Sequence, residues 1–464
     1  MKPIINTIFR QFDTSDIYFC HWKSNQRLHT FINGKEDLDL LFREEDRDIV
    51  LNLMYKSGAR KFEAIPLGKY EYIYDFLIID DEGSLIHFHL HFGLDIGEKG
   101  IKRYRLPFVN SVLESRIRSN SDKVWVPAYS YELLLLLLRL SLRFPPIAYL
   151  KYKWMKSSYY IENKANGEFK WLKKRVSFCE FEKVVSNHFD DKVIIKSIMD
   201  LYNENLTATR ILALRSALSY KRLEWMKKSD AYVNYKFIIE RFKVNRIIRI
   251  MSLMPSKRIN TSAGKIVVIL GSDGAGKSTL VKNLYQSFSR KIDVYNLYMG
   301  LPKPSKSNNP LLSKLFRRLG LFPLWNVIVK RNNISKAYKL KSSRALILCD
   351  RFPQHYNEGI MDGPLLNRWR KSSNPIKKYF SKLEHDLFEE MADTKIDLVV
   401  KLIVDSETSA RRGKHSLKMA KQKTSILSDL RFPNAKQTIE LDASKMREEQ
   451  VAIQASIAIW KIYK

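Results

Sequence analysis

Cysteine is scarce: only Cys20, Cys179 and Cys349 occur in 464 residues, far apart in the chain. Such spacing offers no disulfide framework and no CxxC metal pair. Long hydrophobic runs are missing as well. The most apolar stretch, Leu133–Leu138, is met at once by Arg139 and Arg143, far too short to span a bilayer and better suited to a buried amphipathic helix. The opening residues, MKPIINTIFRQFDTSD, hold neither a long apolar core nor a small-residue cleavage site, so no secretory leader is predicted. A cytoplasmic, reduced protein is the expectation. No internal repeat points to a solenoid. Acidic residues are also short, 49 against 81 Lys and Arg, for a formal charge of +32. A surface so basic attracts polyanions: nucleic acid, anionic lipid head groups, or phosphorylated sugars and nucleotides. A merely solvated lysine excess is the plainer alternative.

What is present suffices for packed domains. Hydrophobic residues make up 45% and aromatics 12%, which excludes large-scale disorder, and the length calls for two or three domains. Residues 1–125 alternate short helical and strand-like runs. Asp37–Phe42 reads as a strand, and Tyr72–Ile79 with Leu85–Phe92 as a hairpin turning through Asp80-Asp81-Glu82-Gly83. Residues 126–255 read as helical, basic and aromatic. After a linker, residues 260–464 alternate strands with helices, the pattern of a doubly wound parallel sheet. The expected fold class is therefore α/β at the C-terminus, with an α+β N-terminal domain and a helical middle region.

The sequence Gly271-Ser272-Asp273-Gly274-Ala275-Gly276-Lys277-Ser278-Thr279 fits GxxxxGK[ST], with the apolar run Lys265–Leu270 before it and helix-forming Thr279–Ser287 after it. Glycines let successive N–H groups converge on phosphate oxygens, and the helix N-terminus adds its positive end. Lys277 is placed to reach the β- and γ-phosphates of ATP, and the Ser278 hydroxyl to ligate Mg²⁺. Further on, RALILCDRF (Arg344–Phe352) ends a buried strand in Asp350, a carboxylate suited to the Mg²⁺ water shell, followed by Arg351 as a phosphate contact.

These two motifs together resemble the thymidylate kinase branch of the nucleoside-phosphate kinases, the P-loop NMP-kinase-like fold. Asp397–Val404 is similar to that family's strand leading to the lid, Asp405–Lys414 to its lid helix, and Thr438–Ser444 to the last strand and the loop beside the adenine. The resemblance implies that Arg411 and Arg412, with Lys414, close over the phosphates; a solvated basic helix is the alternative. One segment departs. The REPGGT-like stretch that holds the acceptor in thymidylate kinases is replaced by Tyr298-Met299-Gly300-Leu301-Pro302-Lys303-Pro304, and a basic insert, Lys303–Arg344, stands where the acceptor lid would be. Asp362-Gly363-Pro364 is expected on the acceptor side or as a plain turn. Thymidylate itself is expected to be a poor acceptor.

Near the N-terminus, His21-Trp22-Lys23-Ser24-Asn25 and then Gly34-Lys35-Glu36-Asp37-Leu38-Asp39-Leu40-Leu41 resemble the polymerase-β type of nucleotidyltransferase, in which a small G-S turn precedes a D-x-D strand. Asp37 and Asp39 share a strand face, and the resemblance implies a pair of Mg²⁺ ions there, with Lys23-Ser24 cradling a triphosphate. The third carboxylate usual on a neighbouring strand is not evident, because the candidate strand carries His87, His89 and His91. Those histidines suggest either a metal or a satisfied sheet face. Asp37 and Asp39 are expected at a cleft facing His87 or His89, with weak metal binding.

Between the blocks, Phe237, Ile238, Phe242, Ile247 and Ile250 interleave with Arg241, Lys243, Arg246 and Arg249. That pattern suits an anionic membrane, a polyanion or interdomain packing. The combination of blocks resembles fused proteins of bacterial surface-polysaccharide biosynthesis. The expected function is ATP- and Mg²⁺-dependent phosphoryl transfer to a nucleoside monophosphate or a phosphorylated or glycan acceptor, with a nucleotidyltransferase-like activity in addition. An ATP-switched regulatory or polyanion-binding protein is the rival. The expected partners are a nucleotide and an anionic acceptor, with peripheral contact at the inner face of the membrane, and nucleic acid ranked below them.

Overall fold

The computed structural model describes residues 1–64, 70–98, 100–119, 123–143, 163–241, 257–300, 315–318, 320–413 and 416–463. Phe242, Lys243, Arg246, Ile247, Arg249 and Ile250 of the basic amphipathic stretch lie outside them, as do Lys414, Leu301, Pro302, and residues 303–314 and 319 of the basic insert. The chain divides into two compact units, residues 1–78 with 86–251 and residues 252–464 with 79–85.

The first unit is built on a sheet of β1 (Phe19–His21), β2 (Leu38–Phe42), β3 (Arg60–Glu63), β4 (Ile73–Ile79) and β5 (Leu85–His91), in the order β1-β2-β5-β4-β3. β2 runs antiparallel to β1 and parallel to β5. Side chains alternate across a strand, and here the two faces divide by chemistry. Leu38, Leu40, Phe42, Phe76, Ile78, Ile86, Phe88 and Leu90 all enter one core with Phe12, Val50 and Met54, which come from helices Pro3–Thr14 and Arg47–Lys56. The opposite face therefore receives Asp37, Asp39, Asp75, His87, His89 and His91. The predicted hairpin is β4–β5. Its turn is closed by Asp80, whose Oδ1 accepts from the N–H groups of Glu82 at 3.0 Å and Ser84 at 2.7 Å.

Two small antiparallel ribbons follow, β6 (Leu94–Ile96) with β7 (Tyr104–Leu106), and β8 (Ile117–Arg118) with β9 (Trp125–Val126). The leucine run lies in helix Tyr129–Leu142 and is buried along its length. It packs with helices Phe178–Ser186, Lys192–Asn203 and Ala208–Ala217, and with Cys20, Trp22 and Leu41 of the sheet. The helices of the middle block thus share a core with the first 125 residues instead of forming a region of their own. Among the described residues, no helix is long and apolar enough to cross a membrane.

The second unit opens with the two-residue strand β10 (Ile259–Asn260) and then carries β11 (Lys265–Gly271), β12 (Val294–Tyr298), β13 (Leu346–Asp350), β14 (Leu398–Ile403) and β15 (Thr438–Asp442). Their order is β12-β13-β11-β14-β15, with every neighbouring pair parallel. The chain reverses its direction of winding between β13 and β11. In such sheets the carboxyl ends of the strands at that reversal form the ligand crevice, which is where β11 delivers the P-loop and β13 delivers Asp350.

The far end of the sheet is pinned by Asp397, just before β14. Its Oδ2 accepts from the Ile266 N–H at 2.9 Å and the Lys341 ammonium at 2.6 Å, and Lys436 lies 3.0 Å from Oδ1. Burial pushes this carboxyl up, but Lys341, the Ile266 N–H and Lys436 together hold it below the usual carboxylate range. The stabilisation is thus full above about pH 4 and is lost as pH falls through the lowered value. Asp397→Asn should destabilise the unit by about 2–3 kcal/mol at pH 7, measured by chemical denaturation. The gap to wild type should shrink as the pH is taken below about 4.

Candidate functional site

The P-loop takes its shape from two glycines in the left-handed region. Gly276, at φ +91°, caps helix Lys277–Phe288. Gly274 sits at φ +78°, and a Cβ there would lie 2.7 Å from both the Arg412 Cβ and the Gly413 nitrogen. Lys277 is buried, and its Nζ donates to the carbonyls of Gly271 at 2.9 Å and Ser272 at 2.6 Å. Burial and the nearby Arg351 push its ammonium down to about 8. The Ser278 hydroxyl donates to Asp350 Oδ2 at 2.8 Å, while Asp350 Oδ1 is buried with no hydrogen-bond partner. A hydroxyl beside an unsatisfied carboxylate oxygen is a donor set that fits Mg²⁺.

Charges from distant parts of the chain meet at Asp273. Arg351, at φ +73°, donates to Asp273 Oδ1 at 2.8 Å, and Lys423 of helix Leu417–Asp429 donates to Oδ2 at 2.5 Å. Burial raises this carboxyl, yet the two cations hold it well below the usual range. On its other side Arg351 faces Asp362 at 3.5 Å, and Lys330, a buried lysine of helix Phe322–Ser342, donates to the Asp362 carbonyl at 3.1 Å. The turn Asp362-Gly363-Pro364 thus brings a carboxylate to the end of β13. Helix Ser406–Gly413 is fastened by Ser409, whose Oγ lies 3.0 Å from Ser272 Oγ and donates to the Asp273 carbonyl at 3.0 Å. At its C-terminal end, Arg411 and Arg412 are exposed. Arg412 lines a cavity of about 410 Å³ with Ala275, Gly276, Thr279 and the loop Ala443–Glu448. Lys423, Lys330 and Ser409 carry no sequence signal of their own, being ordinary helix residues until the fold brings them to the P-loop.

In the first unit, Asp39 pairs in register with His89 across β2 and β5. Asp39 Oδ1 lies 2.8 Å from Lys23 Nζ, 3.3 Å from His89 Nδ1 and 3.0 Å from His91 Nε2. Asp37 Oδ2 lies 3.0 Å from His87 Nδ1. The expected facing of Asp37 and Asp39 toward His87 and His89 is what the geometry holds. A third carboxylate on this face comes from Asp75 of β4, 2.8 Å from His87 Nε2 and 3.0 Å from His89 Nε2. Its signal was a single acid inside the apolar run IYDFLII. A pair of Mg²⁺ ions on Asp37 and Asp39 does not fit this donor set, because Mg²⁺ demands oxygen ligands and water while the neighbours of Asp39 are an ammonium and two imidazoles.

The Ser24 turn is also not an open phosphate cradle. Ser24 is left-handed at φ +60°, and its N–H and Oγ donate to the two oxygens of Glu168 at 3.1 and 3.2 Å. Arg139 completes that carboxylate's pairing at 2.8 Å. Next to it, Glu132 accepts from the Asn25 N–H at 2.9 Å and the Asn25 Nδ2 at 3.0 Å. The turn borders a cavity of about 280 Å³ edged by Lys23, Lys102, Arg139, Arg143 and Lys164.

Burial, with Glu168 adding to it, pushes the Glu132 carboxyl up to about 7. A raised acid contributes stability that is full below its unfolded value, about 4.3, and is lost as pH rises through 7. Wild type should therefore lose stability across that window, on the order of 2 kcal/mol. Glu132→Gln, which mimics the protonated side chain, should flatten the decline when denaturation midpoints are compared from pH 5 to pH 8.

No protein-family model matches the chain. The uncharacterized ATP-binding protein YghR of Escherichia coli (strain K12) is 26% identical over 220 residues, covering 42% of this chain and 86% of that protein. The uncharacterized ATP-binding protein YghS of the same strain is 28% identical over 225 residues, covering 43% and 93%. Among solved structures, a deoxyadenosine kinase from M. mycoides with bound dATP is similar at a TM-score of 0.28 and 16% identity, over 42% of this chain and 99% of that one. A thymidylate kinase from Candida albicans is similar at 0.29 and 15%, over 44% and 96%.

Proposed function

We propose that the second unit is a P-loop kinase that transfers the γ-phosphoryl group of ATP to an anionic acceptor. The observation that carries this reading is the Ser278–Asp350 pair, 2.8 Å apart, with the second Asp350 oxygen buried and unpartnered directly below a phosphate-cradling loop. Ser278 and Asp350 would hold Mg²⁺, which supplies charge neutralisation between the phosphates. The backbone N–H groups of the loop orient the triphosphate. Lys277 exchanges its loop carbonyls for phosphate oxygens, a favourable trade for a partly desolvated ammonium. The cavity beside Arg412 and the Ala443–Glu448 loop takes the base. The name ATP-binding protein, given to both Escherichia coli relatives, supports the donor.

Arg351, Lys330 and Asp362 gather at the end of β13, and we assign the acceptor to that side. Two cations there suit a phosphate or another anion. The resemblance to fused proteins of surface-polysaccharide biosynthesis is what extends the acceptor class from nucleoside monophosphates to phosphorylated sugars and glycans. For the first unit, the nucleotidyltransferase-like reading draws support from the three carboxylates on one sheet face, while Glu168 in the Ser24 turn counts against a triphosphate seated there.

Lys277→Ala should abolish γ-phosphoryl transfer and leave the fold intact by circular dichroism. Asp350→Asn should lower the Mg²⁺-dependent rate by a factor on the order of 100 or more, as loss of a transition-state charge contact does. The deciding experiment screens γ-labelled ATP against nucleotides, sugar phosphates and lipid-linked glycans. Labelled product lost in both variants supports a kinase. ATP hydrolysis with no labelled acceptor across the whole screen would favour the ATP-switched rival. Thymidylate should be among the weak acceptors, with kcat/KM below about 10⁴ M⁻¹s⁻¹.

A further inference from the structure

The second unit carries a charged patch that the P-loop chemistry does not use. From Leu365 to Leu383 the chain has six cations, Arg368, Arg370, Lys371, Lys377, Lys378 and Lys382, and not one acid. All six are exposed, and among the described residues none of them makes an ion pair. Nearby side chains do: His385 meets Glu389 at 3.1 Å and Arg331 meets Glu390 at 2.9 Å. The excess of positive charge is therefore confined to one stretch, and it is met by nothing in the chain. A surface of that kind draws a polyanion.

The local fold mixes these cations with apolar side chains. The short helical turn Asn367–Trp369 leads into helix Pro375–Ala392. Asn374 caps that helix, its Oδ1 accepting from the N–H groups of Ile376 at 2.9 Å and Lys377 at 3.3 Å. Lys377 Nζ stands 5.8 Å from the centroid of the Trp369 ring, so the turn and the start of the helix form one surface. The helix buries Ser381, Glu384, Phe388 and Met391 along one stripe. Ile376 and Tyr379, one turn apart, fall outside it and are 63% and 62% exposed. A lone exposed apolar residue is ordinary. An aliphatic and an aromatic side chain on one turn, among unpaired lysines, suit a lipid interface, where apolar chains enter the acyl boundary and ammonium groups reach head-group phosphates. Nucleic acid offers the phosphates but no acyl phase for Ile376.

We propose that this face of the second unit docks on an anionic bilayer, with Ile376 and Tyr379 entering the head-group boundary and the six cations meeting lipid phosphates. Docking itself does not depend on phosphotransfer. Its consequence for the acceptor does rest on the kinase reading. Glu384, buried on the same helix, accepts from the N–H groups of Leu365 at 3.1 Å and Leu366 at 2.6 Å. That ties the segment after Asp362-Gly363-Pro364 to the docking helix. The side assigned to the acceptor is then carried close to the bilayer, and a lipid-linked acceptor is the class that fits it.

The test is co-sedimentation of tag-free, full-length protein with vesicles of phosphatidylcholine, alone or mixed with phosphatidylglycerol, in the absence of nucleotide. Binding to the mixed vesicles alone is expected, and its outcome is separate from that of the γ-phosphoryl screen. Each basic residue at an anionic surface is worth roughly fivefold in partition, so Lys377→Gln with Lys378→Gln and Lys382→Gln should weaken binding on the order of 100-fold. Because the whole chain is basic, a control removes equal charge from the amino end of the sheet. Arg290→Gln, Lys395→Gln and Lys461→Gln, at three exposed positions there, should together cost less than about fivefold, being screened from the docked face by salt. Ile376→Ser with Tyr379→Ser leaves the charge unchanged and should weaken binding about 10-fold or more, with thermal unfolding as in wild type. Equal loss from the two charge-removing triples, wild-type binding by the serine variant, or equal binding to phosphatidylcholine alone would each overturn the proposal. Labelled duplex DNA that loses affinity in the patch variants while vesicle binding persists would assign the face to nucleic acid and overturn it too.

Discussion

An ionised side chain can be buried only where opposite charge or hydrogen-bond donors meet it, and both units of this chain are arranged around that requirement. In the second unit the acids nearest the P-loop and the one that pins the sheet stand at opposite ends of its strands. Asp397 gathers a backbone N–H and two lysines at one end. At the other, Asp273 and Asp350 lie where the phosphates of a nucleotide would come. The apolar middles of β11 and β13 leave these ends as the places where charge is tolerated. Position and chemistry are therefore set together: the end at which the winding reverses is the end that can hold a triphosphate.

Asp273 also links segments far apart in sequence. Its carboxylate is shared between Arg351, at the tip of β13, and Lys423, on a helix past β14. Its backbone carbonyl takes the Ser409 hydroxyl. The loop, the strand that bears Asp350 and the helix that bears Arg411 and Arg412 are thus tied through one residue. An anion arriving at the loop would compete with Asp273 for both cations, and so would bear on the helices Ser406–Gly413 and Leu417–Asp429 fastened there.

The parts of the site that were legible in the sequence are those written locally. GSDGAGKST needs only its own glycines and the helix behind it, and RALILCD needs only a run of apolar residues ending in an acid. The hairpin through Asp80 was legible for the same reason. Lys330, Lys423 and Ser409 were not, because each lies in an unremarkable helical pattern and gains meaning only from a partner remote in sequence. Glu168 is the sharpest case. Lys23-Ser24 reads as a phosphate turn until a helix from the middle block puts a carboxylate into it. Asp75 lay in plain view inside β4, but the strand order that sets β4 beside β5 is not a local property. The middle block looked separate because its composition is helical and basic, whereas its leucines share a core with the sheet.

The two-faced sheet of the first unit also bears on how faithfully it assembles. A slip of one residue between β2 and β5 would turn every side chain of the slipped strand to the other face. It would drive imidazoles or aspartates into the cluster of Phe12, Phe42 and Phe88 and expose the apolar side chains in exchange. A slip of two residues would keep the faces and still set an aspartate opposite an imidazole, because Asp37 and Asp39, like His87, His89 and His91, recur at every second residue. Most half-buried strands are guarded against odd slips alone, by hydrophobicity. Here the acids and imidazoles add the cost of burying charge to every odd slip, so the residues that make this face chemically distinctive also reject such misaligned pairings while the chain folds.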